Sequence, residues 1–138
     1  MICVDANVLI AALDSADLFH LVASEVLVGS ENVVALNVTW AEALVHPDRV
    51  GQVDAARGLL TEYGIGIMEV ANEVALTASA LRAAYGNRNF PMLDALVVSA
   101  ALHQKGQVIT TDAKWPSIPD VDIRVLARPA GRSSAGQD

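Results

Sequence analysis

Short apolar runs alternating with helical segments predict an α/β fold: a three-layer α/β/α sandwich with a central parallel sheet of four to five strands. Two observations carry this prediction. Residues 2–4, 33–36 and 108–109 are apolar without alternation, as expected of strands covered on both faces. Between such runs lie longer stretches with apolar residues at helical spacing, closed by glycine or proline.

Residues 2–4 read as a buried strand that ends at Asp5, and residues 8–13 as a short helix. Residues 17–28 carry Leu18, Leu21, Val22 and Val26 at helical spacing and stop at Gly29. The second strand, 33–36, runs into Asn37 and Thr39, both good N-cap residues, and then a helix that Pro47 ends. Residues 49–63 are amphipathic up to Gly64, and residues 65–70 are β-branched and apolar, a third strand. A helix over 73–85 closes at Gly86, and a polar loop of Gly86, Asn87, Arg88 and Asn89 follows. Pro91 suits the first turn of a helix running through Leu93, Leu96, Val97 and Ala100 to Gly106. Residues 108–110 and 122–126 complete the strands. From Ala127 the chain turns to Arg, Pro, Gly and Ser, so residues 1–126 are expected to form one domain and 127–138 a disordered tail.

The chain has 138 residues, enough for a substantial core, and 53% of them are hydrophobic. That surplus points to an oligomer or a bound partner, or to a sheet buried on both faces. The apolar start lacks a basic region and is interrupted by Asp5 and Asn7, so an export signal is not expected. No stretch is apolar enough to span a bilayer, and a lone cysteine, Cys3, cannot form an internal disulfide. A cytoplasmic domain is the expectation. The net charge of -7 has the wrong sign for a protein that binds phosphates through bulk charge. Scattered solvated carboxylates explain it, and so does a carboxylate cluster neutralised by a metal ion.

Four acids fall at strand ends and helix starts. Asp5 closes the first strand, Glu42 follows the second, Asp94 opens the helix after Pro91, and Asp112 closes the fourth strand. In a parallel sheet these positions share the carboxyl edge, where ligands bind. Each has an ordinary structural explanation: an N-cap for Asp5, a Thr39–Glu42 capping box, a macrodipole contact for Asp94, an Asx turn for Asp112. Together they are harder to dismiss. Asp94 is embedded in an apolar run, where an unpaired charge is expensive to desolvate. Clustered carboxylates raise one another's pKa and call for a cation, and all-oxygen donors select Mg²⁺ or Mn²⁺ over zinc. Such ions activate water and stabilise a phosphoryl group in transfer.

At these residues the chain resembles the PIN-domain family, and within it the VapC-type toxins of bacterial toxin–antitoxin pairs. The matching pieces are Val4-Asp5-Ala6-Asn7-Val8-Leu9-Ile10, Thr39-Trp40-Ala41-Glu42, Leu93-Asp94-Ala95-Leu96-Val97 and Thr110-Thr111-Asp112-Ala113-Lys114-Trp115. Order and spacing agree to about Leu126, so residues 1–126 would be a PIN-like nuclease domain. The resemblance implies a metal-dependent endoribonuclease in which Asp5, Glu42, Asp94 and Asp112 are the metal-binding acids, with Asn7 and Thr110 as polar support. It implies a homodimer and a cognate antitoxin that threads into the acidic groove. Many relatives carry a further acid two residues after the last aspartate, where this chain has Lys114, which leaves one ion or two open.

Arg88, before the Asp94 helix, and Lys114, beside Asp112, are the best-placed cations for RNA, though each is equally an ordinary solvated side chain. Trp40 and Trp115 read as packing residues, and His20, His46 and His103 show no ligand spacing. Two rivals remain: a metal-dependent phosphatase, and a PIN fold retained as a catalytically weak protein-binding module. The first lacks the second aspartate that dehalogenase-like phosphatases need, since Asn7 stands there. Glycine-rich nucleotide loops are absent.

Overall fold

The computed structural model describes residues 1–129. Its elements run β1 (Ile2–Val4), α1 (Ala6–Leu13), α2 (His20–Val28), β2 (Val33–Leu36), α3 (Asn37–Arg49), α4 (Val53–Glu62), β3 (Gly66–Met68), α5 (Asn72–Tyr85), α6 (Met92–Gln104), β4 (Gln107–Thr110) and β5 (Asp122–Val125). The strands form one five-stranded sheet in the order β3-β2-β1-β4-β5, and every pairing is parallel. The α/β sandwich expected from the sequence is the fold observed.

The unbroken apolar character of the strands follows from their two covered faces. Along β2, Val33 and Ala35 point to one core while Val34 and Leu36 point to the other. In β4, Val108 joins the second core and Ile109 the first. Side chains alternate along a strand, so a sheet packed on both sides needs an apolar residue at every position. The first core lies under α1 to α4, with Leu9, Leu27 and Leu60 fully buried; the second lies under α5 and α6 around Phe90 and Val98. Each such leucine contributes about 1.5–3 kcal/mol on burial. Helix α6 buries Ala95 and Val97 to Ala101, and its buried Ser99 hydroxyl donates to the Val74 carbonyl of α5 (2.7 Å). Cys3 is a buried free thiol whose pKa is pushed up to about 12 by desolvation and then by the Asp5 charge.

Four boundaries differ from expectation. Helix α2 begins at His20, not near Asp17, because the Asp14 and Asp17 carboxylates accept from the Ala16 and Phe19 N–H groups (2.9 and 2.8 Å) and hold that stretch in turns. Pro47 does not end α3, which continues to Arg49. It removes only a donor near the end of the helix, and Val50 N–H still donates to the His46 carbonyl (3.2 Å). Helix α4 starts at Val53, since Gly51 takes φ +73°, a left-handed conformation that glycine adopts readily, and breaks the chain there. Thr39 is not an N-cap: it is buried inside α3, whose cap residue is Leu36. Of the predicted tail, residues 127–129 have no regular structure, and the remainder lies outside the described residues.

In this sheet the strand order reverses between β1 and β4. The carboxyl ends of those two strands form the crevice in which open α/β sheets bind ligands.

Candidate active site

Asp5 stands at that crevice. It follows β1, its backbone N–H donates to the Ile109 carbonyl of β4 (3.2 Å), and it caps α1 by accepting from Val8 N–H at Oδ1 (3.1 Å). Its other oxygen, Oδ2, accepts the Thr110 hydroxyl. Thr110 in turn accepts the Asp112 N–H at Oγ1 (3.0 Å), so one buried hydroxyl ties the end of β1 to the loop beyond β4. The Asp112 carboxylate accepts from Lys114 N–H at Oδ1 (2.8 Å), an Asx turn. The ordinary structural roles foreseen for Asp5 and Asp112 are therefore real.

Thr110→Val tests the hydroxyl's double role. It strands one oxygen of a buried carboxylate, and the expected loss of stability is about 1–3 kcal/mol, read by chemical denaturation.

Asp94 lies in the first turn of α6 and accepts the Trp115 indole N–H at Oδ2 (3.1 Å). A helix start and a donated hydrogen bond both favour the ionised form. Even so, desolvation, the Trp115 bond opposing it, and the charges of Glu42 and Asp112 leave its pKa raised to about 6. The macrodipole alone does not account for this residue. Asp5 is raised further, to about 7, chiefly by burial; the Thr110 and Val8 bonds lower it, and the Asp94 and Asp112 charges add to the rise. Glu42 is also raised by desolvation. The capping box that offered Glu42 another role is not formed, because Thr39 sits inside the helix and α3 has no side-chain cap. The charges of Asp94 and Asp112 thus reach Asp5, and those of Glu42 and Asp112 reach Asp94.

A PIN-domain model matches residues 2–121. The chain belongs to the PIN-domain family. Solved structures of similar fold include a toxin–antitoxin complex from Klebsiella pneumoniae, 24% identical, with TM-score 0.71 over 88% of this PIN domain chain and 95% of the other. Mycobacterium tuberculosis VapC20, a toxin that cleaves the sarcin–ricin loop, is 16% identical with TM-score 0.67 over 86% and 98%. Rickettsia felis VapBC2, solved bound to a DNA fragment from its promoter, is 15% identical with TM-score 0.70 over 92% and 100%. A search of curated proteins finds no match.

PIN domains typically use divalent metal ions, and the donor set of this one fits such an ion. Its candidate ligands are carboxylate oxygens alone, which suits Mg²⁺ or Mn²⁺. Two of them, Asp5 and Asp94, are held in surroundings that penalise negative charge, a penalty a cation relieves. Among the described residues no three His, Cys, Asp or Glu side chains are grouped so that they could hold an ion together. The fit rests on donor chemistry and electrostatics.

Of the remaining residues named from sequence, Asn7 is exposed in the first turn of α1, and Arg88 and Lys114 are exposed on loops flanking α6 and β4. Trp40 is buried and its indole donates to the Gly66 carbonyl of β3 (3.3 Å), a packing role as expected. Two features were missed. Trp115 contacts Asp94 directly as well as packing. His46 and Arg49 share with Glu42 the wall of a cavity of about 650 Å³ between α1, α3 and α4. Their spacing from Glu42, four and seven residues, places them on one helical stripe. Ending the helix at Pro47 hid that stripe. The cavity adjoins the acids but is not centred on them, since Glu42 is the only one of the four on its wall.

Proposed function

We propose that this PIN domain is a metal-dependent endoribonuclease, the toxin of a toxin–antitoxin pair, that hydrolyses RNA phosphodiesters in the cytoplasm. The observation that carries the reading is that Asp5, at the β1/β4 crevice, has its pKa raised by burial and by the charges of Asp94 and Asp112, while Asp94 is raised by burial and by the charges of Glu42 and Asp112. Asp5, Asp94 and Asp112 would hold Mg²⁺ or Mn²⁺, and Glu42 would ligate it or orient the attacking water as base. When bound, the ion supplies water activation and stabilises charge on the phosphoryl oxygens. Thr110 keeps Asp5 and Asp112 in register, while Arg88, Lys114 and Arg49 contact phosphates on either side. The family match and the toxin–antitoxin neighbours support this class of function and an antitoxin partner. Exposed Leu18, Leu21, Val28 and Leu76 supply apolar surface for that partner or for a homodimer. No helix among the described residues is long and apolar enough to cross a membrane.

The test is cleavage of structured RNA by the full chain with Mg²⁺ or Mn²⁺ and with chelator. Asp94→Ala is expected to lower cleavage at least ~100-fold; full retention would overturn the reading and favour the protein-binding module. Arg49→Ala should instead weaken RNA binding by roughly threefold to tenfold and reduce the salt dependence by about one counterion. Turnover of a simple phosphate monoester without RNA cleavage would favour the phosphatase.

A further inference from the structure

We infer that Trp115 is a positioning residue for the metal pocket, its indole N–H fixing the Asp94 carboxylate while its ring is braced on Phe90. This rests on the reading of the acids as a divalent-cation site. An aspartate in the first turn of a helix has two free torsions, and nothing in α6 itself fixes the Asp94 carboxylate: the helix has no side-chain cap. The indole does so, donating to Oδ2 at 3.1 Å. The ring is held in turn by an edge-on contact with Phe90, with centroids 5.6 Å apart and planes at 70°. Phe90 is fully buried, and its N–H donates to the Asn87 carbonyl (3.0 Å). Phe90, Trp115 and Asp94 are therefore linked into one brace by an aromatic contact and a hydrogen bond.

The loop that carries Trp115 is also tied to the other acids. Trp115 lies three residues beyond Asp112 in the β4–β5 connection, and Thr110 clamps the other end of that loop to Asp5. One loop thus joins Asp5 and Asp112 through a hydroxyl and Asp94 through an indole. A phenylalanine at 115 could supply the packing but not the N–H. Groups that orient a metal-binding side chain typically contribute about tenfold to a hundredfold in ion affinity.

Mn²⁺ titrations followed by thermal melting of the full chain test this without any RNA. Trp115→Phe is expected to raise the half-saturating Mn²⁺ concentration about tenfold while the melt stays cooperative. Incorporation of 3-benzothienylalanine at position 115 keeps ring size and stacking, removes only the N–H, and should give the same rise; it carries the test alone if the phenylalanine variant does not fold. In ¹⁵N spectra the Trp115 indole signal should broaden with Mn²⁺ before that of Trp40, whose N–H is engaged at β3. Wild-type Mn²⁺ affinity in the benzothienyl protein, with affinity lost in Asp94→Asn, would reduce Trp115 to packing and overturn the inference. Wild-type affinity in Asp94→Asn as well would overturn the cation site beneath it.

Discussion

Asp5→Asn is expected to abolish metal-dependent RNA cleavage and at the same time to stabilise the metal-free protein at about pH 8. Asparagine is as good an N-cap as aspartate, so acceptance from Val8 N–H is kept. Its amide would face the Thr110 hydroxyl, which can accept as well as donate. What disappears is a negative charge in a buried site beside Asp94 and Asp112. A carboxyl titrating near 7 instead of near 4 opposes folding by roughly 4 kcal/mol once fully ionised. Weaker hydrogen bonds return part of that, leaving a net gain on the order of 2 kcal/mol and several degrees in Tm. Cleavage should fall at least ~100-fold because a ligand and its charge are gone. A variant that cleaves normally, or melts lower than wild type at that pH, contradicts the assignment.

The second large effect is a pH dependence of stability that a divalent ion reverses. Asp5 and Asp94 have folded-state pKa values of about 7 and about 6, both above their unfolded values. Between the unfolded and folded values the native state binds more protons, so their contribution to stability is complete at low pH and is lost as pH rises from about 4 to about 7. The metal-free protein should therefore lose Tm across that window, and Asp5→Asn should flatten the slope. On the proposed reading of these acids as a cation site, a divalent ion should restore the loss above neutral pH while doing little at about pH 5. At a free concentration about 100 times its Kd it adds about 2.7 kcal/mol. Differential scanning calorimetry across pH, with and without Mn²⁺, checks both signs. Equal stabilisation by Mn²⁺ at acid and neutral pH would place the ion away from these carboxylates.

Strands were legible because an apolar run can be recognised without knowing its partners. Helix boundaries were less so. Pro47 is a strong local breaker, but near the end of α3 it removes little, and the continued helix carries Arg49 onto the stripe of Glu42. The start of α4 depended on Gly51, whose positive φ no composition reveals. The Thr39–Glu42 spacing matched a capping box, yet α3 starts two residues before Thr39, directly from β2, and the match was accidental. Trp115 illustrates the same limit: aromatic character predicted packing, while the hydrogen bond to Asp94 depends on a loop approaching α6 from a distant part of the chain.

By itself the sequence determined the alternation of strands and helices, the family, and which acids stand at strand ends and helix starts, because these are properties of local pattern and spacing. Only the tertiary structure decided that the charges of Asp94 and Asp112 reach Asp5, that Glu42 is released from capping, and that Thr110 and Trp115 donate hydrogen bonds to Asp5 and Asp94. Desolvation and Coulomb interaction depend on distance through space, and residues more than a hundred positions apart become neighbours only when β4 inserts beside β1.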